Sequence, residues 1–330
     1  MSEPYATQPL TMLFEAPGVY VWGFTHQLGR MGRNLAELKA AGLLCNDVSD
    51  LAKLGYANNF GIAEDESLFT LATGPFRCLL ELCPQPQALV FHHSYASSAS
   101  ASPVEYQGTG FMRHARYFPA ELLRGLDLDH VPYLGSFSTG CTGFFSLIMM
   151  AAGPCAYSGS GPLICLTADT KPADSTYDAE REKILTSDCA SGFLVGRERR
   201  GYRALGLSFY SSKRELVPLV EIVKRTVQMV RHLMEALAIR RDQCEFVLHY
   251  PNIFPAAWPM VTDYLQLPRD TQNPDGLSER AHCLSSDPVI SLAGAHRGQA
   301  GRLHVVVGFG SGLHLGVGLF REEPREESGA

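Results

Sequence analysis

Residues 137–153 read FSTGCTGFFSLIMMAAG, and the fold turns on how this stretch is understood. It begins as a polar turn and becomes almost wholly apolar after Gly143. A helix that is apolar on every side has no solvent face, so this one belongs at the centre of a protein. Cys141 stands at the join, with Gly140 and Gly143 close on either side. Two readings compete for it. A free cysteine is commonly a small core residue. A cysteine at a helix mouth also sits where backbone N–H groups stabilise an anion, which suits a nucleophile.

Working outward, residues 161–170 (GPLICLTADT) read as a buried strand, and residues 87–98 (QALVFHHSYASS) as a short strand entering a polar loop. A short helix follows Pro119. Residues 64–82 predict an amphipathic helix with Glu64, Asp65 and Glu66 at its positive end. Residues 34–44 have helical spacing, and residues 10–27 alternate as strands do. Downstream, residues 191–212 read as a hairpin and residues 215–239 as a helix that tolerates Pro218 near its start. Residues 244–254 (CEFVLHYPNIF) form a strand-to-loop unit, and residues 302–322 two strands about a glycine turn. The tail 321–330 has the composition of a disordered segment. Strands alternate with helices throughout, which indicates α/β layers. ALVFHHSY (88–95) and EFVLHYPN (245–252) echo one another, as two similar βα halves packed together would.

Bulk properties narrow the function classes. With 330 residues, 45% hydrophobic and 19% charged, the chain has an ordinary globular composition. A net charge of -6 gives no sign of a nucleic-acid surface. No apolar run has the length of a membrane span, and residues 1–18 lack a signal-peptide pattern. The nine cysteines are scattered without CxxC spacing, so no metal site is expected, and the pattern fits a reducing cytoplasm.

Candidate chemistry gathers at a few places. His249 ends an apolar strand, where α/β proteins place ligands; alone, it reads equally as a histidine satisfied by backbone groups. His92 and His93 hold the parallel position of the first half and read as loop or subunit-contact residues. GFGSG (308–312) is no dinucleotide fingerprint, because a strand pattern follows it where a helix is required. In HCLSSDPVISL (282–292), Ser286 or Asp287 could cap a helix entered at Pro288. The functional alternative puts His282 or Asp287 beside the thiol and His249.

The order of these pieces resembles the β-ketoacyl-acyl carrier protein synthase III branch of the thiolase superfamily, over nearly the whole chain. The likeness is carried by STGCTGFFSLIMMAA, VLHYPN and GFGSGLHLGVGLF. It implies a thiolase fold of two similar βα halves in five α-β-α-β-α layers. The expected halves are 1–170, with the nucleophile, and 171–330, with the catalytic histidine. It further implies that Cys141 accepts an acyl group and that His249 serves as general base. Gly310, beside Phe309, would join the Cys141 N–H in an oxyanion hole, with Asn252 close by. Phe111 and Met112 would help bound an acyl tunnel. The family asparagine is replaced: an ungapped match offers His282, and a small shift offers Asp287. The tryptophan and arginine that stack on the adenine of coenzyme A have no match in residues 46–62, which favours a carrier protein as donor.

The resulting expectation is an acyltransferase of secondary-metabolite, polyketide-type biosynthesis, working through an acyl-cysteine. It would need no cofactor beyond the phosphopantetheine of its acyl-carrier-protein or coenzyme A substrate, and it would pass the acyl group to a small-molecule acceptor. A homodimer is expected, paired through the strand at 161–170. The alternatives are a decarboxylative synthase forming a carbon–carbon bond and a non-catalytic partner subunit.

Overall fold

The computed structural model describes residues 8–16, 18–100, 117–128, 130–158, 161–212, 217–273, 276–310 and 314–324. The expected tunnel residues Phe111 and Met112 and the end of the tail, 325–330, lie outside the described residues.

The chain opens with β1 (Leu10–Leu13), β2 (Val19–Leu28) and β3 (Met31–Asn34). A small lobe follows, made of α1 (Leu35–Ala40), α2 (Val48–Lys53) and β4 (Asn58–Gly61), with β3 paired to β4. Asn34 and Glu37 start α1 as a reciprocal cap, each side chain accepting from the other's backbone N–H at 3.0 and 2.8 Å. Next come α3 (Leu68–Leu82), β5 (Leu89–His92), α4 (Ala96–Ala99), α5 (Phe118–Arg124) and β6 (Tyr133–Ser136). A 3-10 turn at Gly140–Thr142 leads into α6 (Gly143–Ser158), then β7 (Leu163–Asp169) and β8 (Cys189–Gly196). The rest is β9 (Tyr202–Ser211), α7 (Leu219–Ala236), β10 (Phe246–His249), α8 (Ala257–Leu265), α9 (Leu277–Arg280), α10 (Asp287–Ala295), β11 (Leu303–Gly310) and β12 (His314–Glu322).

The order β2-α3-β5-α6-β7-β8 recurs as β9-α7-β10-α10-β11-β12. The sheet positions match as well: β2-β8-β7-β5 on one side and β9-β12-β11-β10 on the other. The sequence echo is therefore β5 against β10. Five layers follow from which face each residue buries. On β7, Leu163 and Cys165 meet the central helices while Ile164 and Leu166 meet α3 and α5. On β11, Val306 faces the centre while Val305 and Val307 face α7 and α8. Phe144, Phe145 and Ile148 of α6 and Val289 and Leu292 of α10 fill the middle layer. Truncating one such phenylalanine would cost about 3–5 kcal/mol, which is why α6 has no polar face to spare.

Several expectations are corrected. β8 and β9 form no hairpin. Both pair with β2, which lies between them in one continuous sheet, so the 197–201 turn carries the chain from one half of that sheet to the other. The first-half sheet is thus completed by β8, beyond the boundary expected at 170, because only β8 covers the flank of β7 opposite β5. β7 is buried along its whole length between β8 and β5, so it cannot pair across a subunit boundary. The edge strand is β6 instead. The acids ahead of α3 do not enter its first turn. Ser67 caps the helix, while Asp65 and Glu66 hold Arg30.

Candidate active site

Cys141 lies in the 3-10 turn at the head of α6 and is partly exposed. Its turn is fixed from three sides. Gly140 adopts φ +50°, a left-handed conformation that glycine takes without steric cost. The Gly140 carbonyl accepts from His92 Nε2 at 2.8 Å and from Ser285 Oγ at 3.1 Å. Ser285 Oγ in turn accepts from the Gly143 N–H at 3.2 Å and lies 2.9 Å from Ser94 Oγ. Burial pulls His92 down to about 4, so this imidazole is neutral and serves as a strut, with Ser136 Oγ on its other nitrogen at 2.8 Å. A Cβ on Gly143 would come within 1.9 Å of the His92 ring, so only glycine fits there. Gly310 packs against the nucleophile as closely: a Cβ there would lie 3.0 Å from the Cys141 nitrogen.

The imidazole beside the thiol is that of His282. Its backbone is stitched to the segment entering β8, with N–H to Leu185 O at 3.0 Å and its carbonyl accepting from Ser187 N–H at 2.9 Å. Non-glycine residues with left-handed φ flank it, Ala281 at +54° and Leu284 at +55°, a local strain that the surroundings hold in place. Nδ1 faces Asp287 Oδ2 at 2.5 Å, and the ring lies within electrostatic range of Cys141. Burial lowers the pKa of His282, but the charges of Asp287 and Cys141 and the bond to Asp287 outweigh it, raising it to about 10. The ring is therefore an imidazolium at neutral pH.

Asp287 is buried at the first turn of α10 and accepts from four donors. These are His282 Nδ1, Asn252 N–H at 2.9 Å, Cys283 N–H at 3.0 Å and Arg280 Nη1 at 2.6 Å. Burial raises its pKa, yet the charges of His282 and Arg280 dominate in sum and hold it well below the carboxylate range. Cys141, His282 and Asp287 thus stand in series, a thiol, an imidazole and a carboxylate. The sequence offered His282 and Asp287 as alternatives for one place; the structure brings the two together.

His249 is corrected. It is fully buried, and both ring nitrogens are engaged away from the thiol: Nδ1 with Ser291 Oγ at 2.7 Å and Nε2 with His304 Nδ1 at 2.9 Å. His304 Nε2 meets Glu322 Oε2 at 3.1 Å. A carboxylate can only accept, so protons run from Ser291 through His249 and His304 to Glu322, and the one lone pair of His249 is occupied. Burial and the neighbouring His304 push its pKa well below the usual histidine value. It is a structural relay with no free basic nitrogen.

Asn252 stands behind the site. Besides its bond to Asp287, its Nδ2 donates to the strained Ala281 carbonyl at 2.8 Å. The Phe309 ring packs edge-on against Phe254, 5.1 Å between centroids, in the second-half core. Sequence reasoning missed Arg280, Ser285 and Tyr95. Tyr95 lies within electrostatic range of Cys141, and burial first, then the charges of Cys141 and Asp169, raise its pKa, so it remains a neutral phenol. Its loop hangs on Asp169, which accepts from Ser94 N–H at 2.9 Å and Tyr95 N–H at 3.0 Å. The serine run SYASS was the only signal there.

These layers and the thiol at the head of the central helix define a thiolase fold. Among solved structures, 3-oxoacyl-(acyl-carrier-protein) synthase III from Aquifex aeolicus VF5 is 14% identical with a TM-score of 0.69, covering 92% of this chain and 100% of that one. ChlB3, described as an acyltransferase, is 15% identical with a TM-score of 0.71, covering 93% and 98%. OleA from Xanthomonas campestris is 15% identical with a TM-score of 0.70, covering 94% and 99%. At these identities the likeness defines the fold. No protein-family model and no curated protein matches the sequence. No helix among the described residues is long and apolar enough to cross a membrane.

Proposed function

We propose that the protein is an acyltransferase working through an acyl-Cys141 thioester. The observation that carries this is the Cys141–His282–Asp287 series. The Cys141 thiolate attacks the carbonyl of a carrier-protein or coenzyme A thioester. The tetrahedral oxyanion collapses, the carbon–sulfur bond to the donor breaks, and the departing thiolate takes the proton of His282. His282, now neutral, removes the proton of an oxygen or nitrogen acceptor as that atom attacks the acyl-cysteine. Cys141 leaves as thiolate beside a restored imidazolium. The Cys141 and Gly310 N–H groups are the oxyanion donors in this reading.

Acyl transfer is favoured over decarboxylative condensation by the withdrawal of His249. An enolate needs donors, and among the described residues His282 is left as the histidine beside the thiol. Losing one such donor costs about 3 kcal/mol of transition-state stabilisation. Secondary-metabolite biosynthesis is the setting this site fits, with no bound cofactor, a homodimer as the working form, and the nine free cysteines in keeping with the cytoplasm.

The test is intact and peptide mass spectrometry after incubation with a panel of acyl thioesters. An acyl adduct on Cys141 alone, abolished in Cys141→Ala, is expected. An adduct on another cysteine, or turnover by Cys141→Ala, would overturn the mechanism. Rapid carbon dioxide release from malonyl-carrier protein by the acylated enzyme would restore the condensing reading.

A further inference from the structure

Arg280 enters none of the steps above, yet its placement is costly. Its side chain is 8% exposed and its partner Asp287 1%, and the two meet at 2.6 Å. Taking a guanidinium and a carboxylate out of water costs several kcal/mol per ion, so such a pair is weak evidence for stability alone. Its geometry gives it a more specific task. Arg280 Nη1 holds Oδ1 of Asp287, which leaves Oδ2 turned to His282 Nδ1. The Arg280 carbonyl accepts from Ser187 Oγ at 2.7 Å, so the residue is anchored at its backbone as well.

The chemistry of acyl transfer says what such a charge does. Asp287 alone would bind the imidazolium of His282 tightly and retain its proton. The reaction needs that proton to leave once per cycle, to the departing thiolate, before the ring takes up the proton of the acceptor. A fixed positive charge on the far side of the carboxylate offsets part of its pull. Arginine suits this task because it stays protonated at every working pH. We propose that Arg280 is a positioning residue of this site, whose buried guanidinium orients Asp287 toward His282 and offsets its charge so that His282 can release a proton. This deepens the reading above, since it takes Cys141, His282 and Asp287 as one working unit.

The charged and titratable neighbours are known. Cys283 and His26 feel the Arg280 charge, and Glu279 and Arg297 line with it a cavity of about 540 Å³. Tyr56 faces Asp287, and Cys189 faces Cys283. Of these groups, Arg280 bonds the Asp287 carboxylate through its charged side chain, and Cys283 bonds it through its backbone N–H.

The experiment follows alkylation of Cys141 by iodoacetamide against pH, read on the tryptic peptide, in the intact protein and in R280M, R280Q and R280K. Removing a positive charge a few ångströms away favours every protonated form nearby. The alkylation limb should move to higher pH by about one unit or more in R280M. R280K keeps the charge, and its limb should coincide with that of the parent protein. A folded R280M with an unmoved limb overturns the proposal, as does an R280K limb displaced like that of R280M. If R280M does not fold, R280Q, equally uncharged, is judged by the same criterion, and should neither fold, the R280K limb decides alone. No thioester enters this measurement, so a failure of Cys141 to accept acyl groups would count against the proposed function and leave this result readable.

Discussion

The two histidines His249 and His282 make opposite predictions at the scale of single residues. His282→Ala removes the imidazole that meets both Cys141 and Asp287. Stopped-flow acylation should slow by about a hundred- to ten-thousand-fold, the usual worth of a positioned acid–base group. His249→Gln instead breaks the Ser291–His249–His304–Glu322 relay. Leaving buried partners unsatisfied costs about 1–3 kcal/mol each, so the melting temperature should fall. Acylation per folded molecule should be unchanged, as measured by adduct mass on protein that retains its circular dichroism. A His249 variant that folds normally yet accepts no acyl group would return the base role to His249. From sequence alone these residues were not separable: His249 ends an apolar strand and His282 opens a serine-rich turn, and neither pattern says whose lone pair is free.

At the scale of elements, β6 is the exposed edge of the first sheet. Tyr133 is 38% exposed and Leu134 49% on the strand, with Phe137, 58% exposed, just past its end, and among the described residues the strand is paired on one side, to β5. Unprotected edges of this kind template pairing with another chain. A second copy pairing antiparallel along β6 would cover them, and the strand runs directly toward the Cys141 turn. Sedimentation at micromolar concentration should show a dimer, and Leu134→Asp, which puts a charge on the edge, should give a monomer. A stable monomer of the parent protein would remove this interface. The helix at the head of which Cys141 sits allows a second test. Gly143→Ala forces the His92 ring and the turn apart, because the new Cβ would lie 1.9 Å from that ring. Overpacking of this kind costs about 1–3 kcal/mol. Alkylation of Cys141 should slow with it, since His92 braces the Gly140 carbonyl.

For the whole molecule, the buried His282–Asp287 pair links stability to pH. Folding raises the pKa of His282 from 6.5 to about 10. Protonation of a group whose folded pKa is raised favours the folded state. That contribution is full below pH 6.5 and is lost as pH rises through about 10. Asp169 acts in the acid-to-neutral range. Burial raises its pKa from 3.8 to about 7, so its ionisation costs stability progressively between those values. Urea midpoints measured from pH 6 to pH 10 should fall with pH. In Asp287→Asn the alkaline part of that decline should flatten, because the charge that raises His282 is gone. An unchanged slope in that variant would contradict the pairing.

The place of Cys141 at a helix mouth, the α/β class, the order of elements and the duplication of the two halves were all legible in the sequence. Each rests on local pattern: an apolar helix with a thiol at its mouth, strand alternation, and matching strand-to-loop units at β5 and β10. Local pattern reports how much of a segment is buried and with what period. It does not report the partner. Residues 191–212 look like a hairpin because two apolar runs flank a charged turn, yet β2 inserts between them, and only sheet closure chooses that. Residues 161–170 look fit for a subunit edge because they are apolar on both faces, yet that property is what a central strand needs. That His282 and not His249 comes beside Cys141 depends on a contact far apart in the chain, and the turn that brings Asp287 to His282 and Arg280, though local, is held by Leu185 and Ser187 of the first half. Those contacts are set by the packing of α10 and its preceding turn against the first half, where lone pairs and charges either find partners or remain free for chemistry.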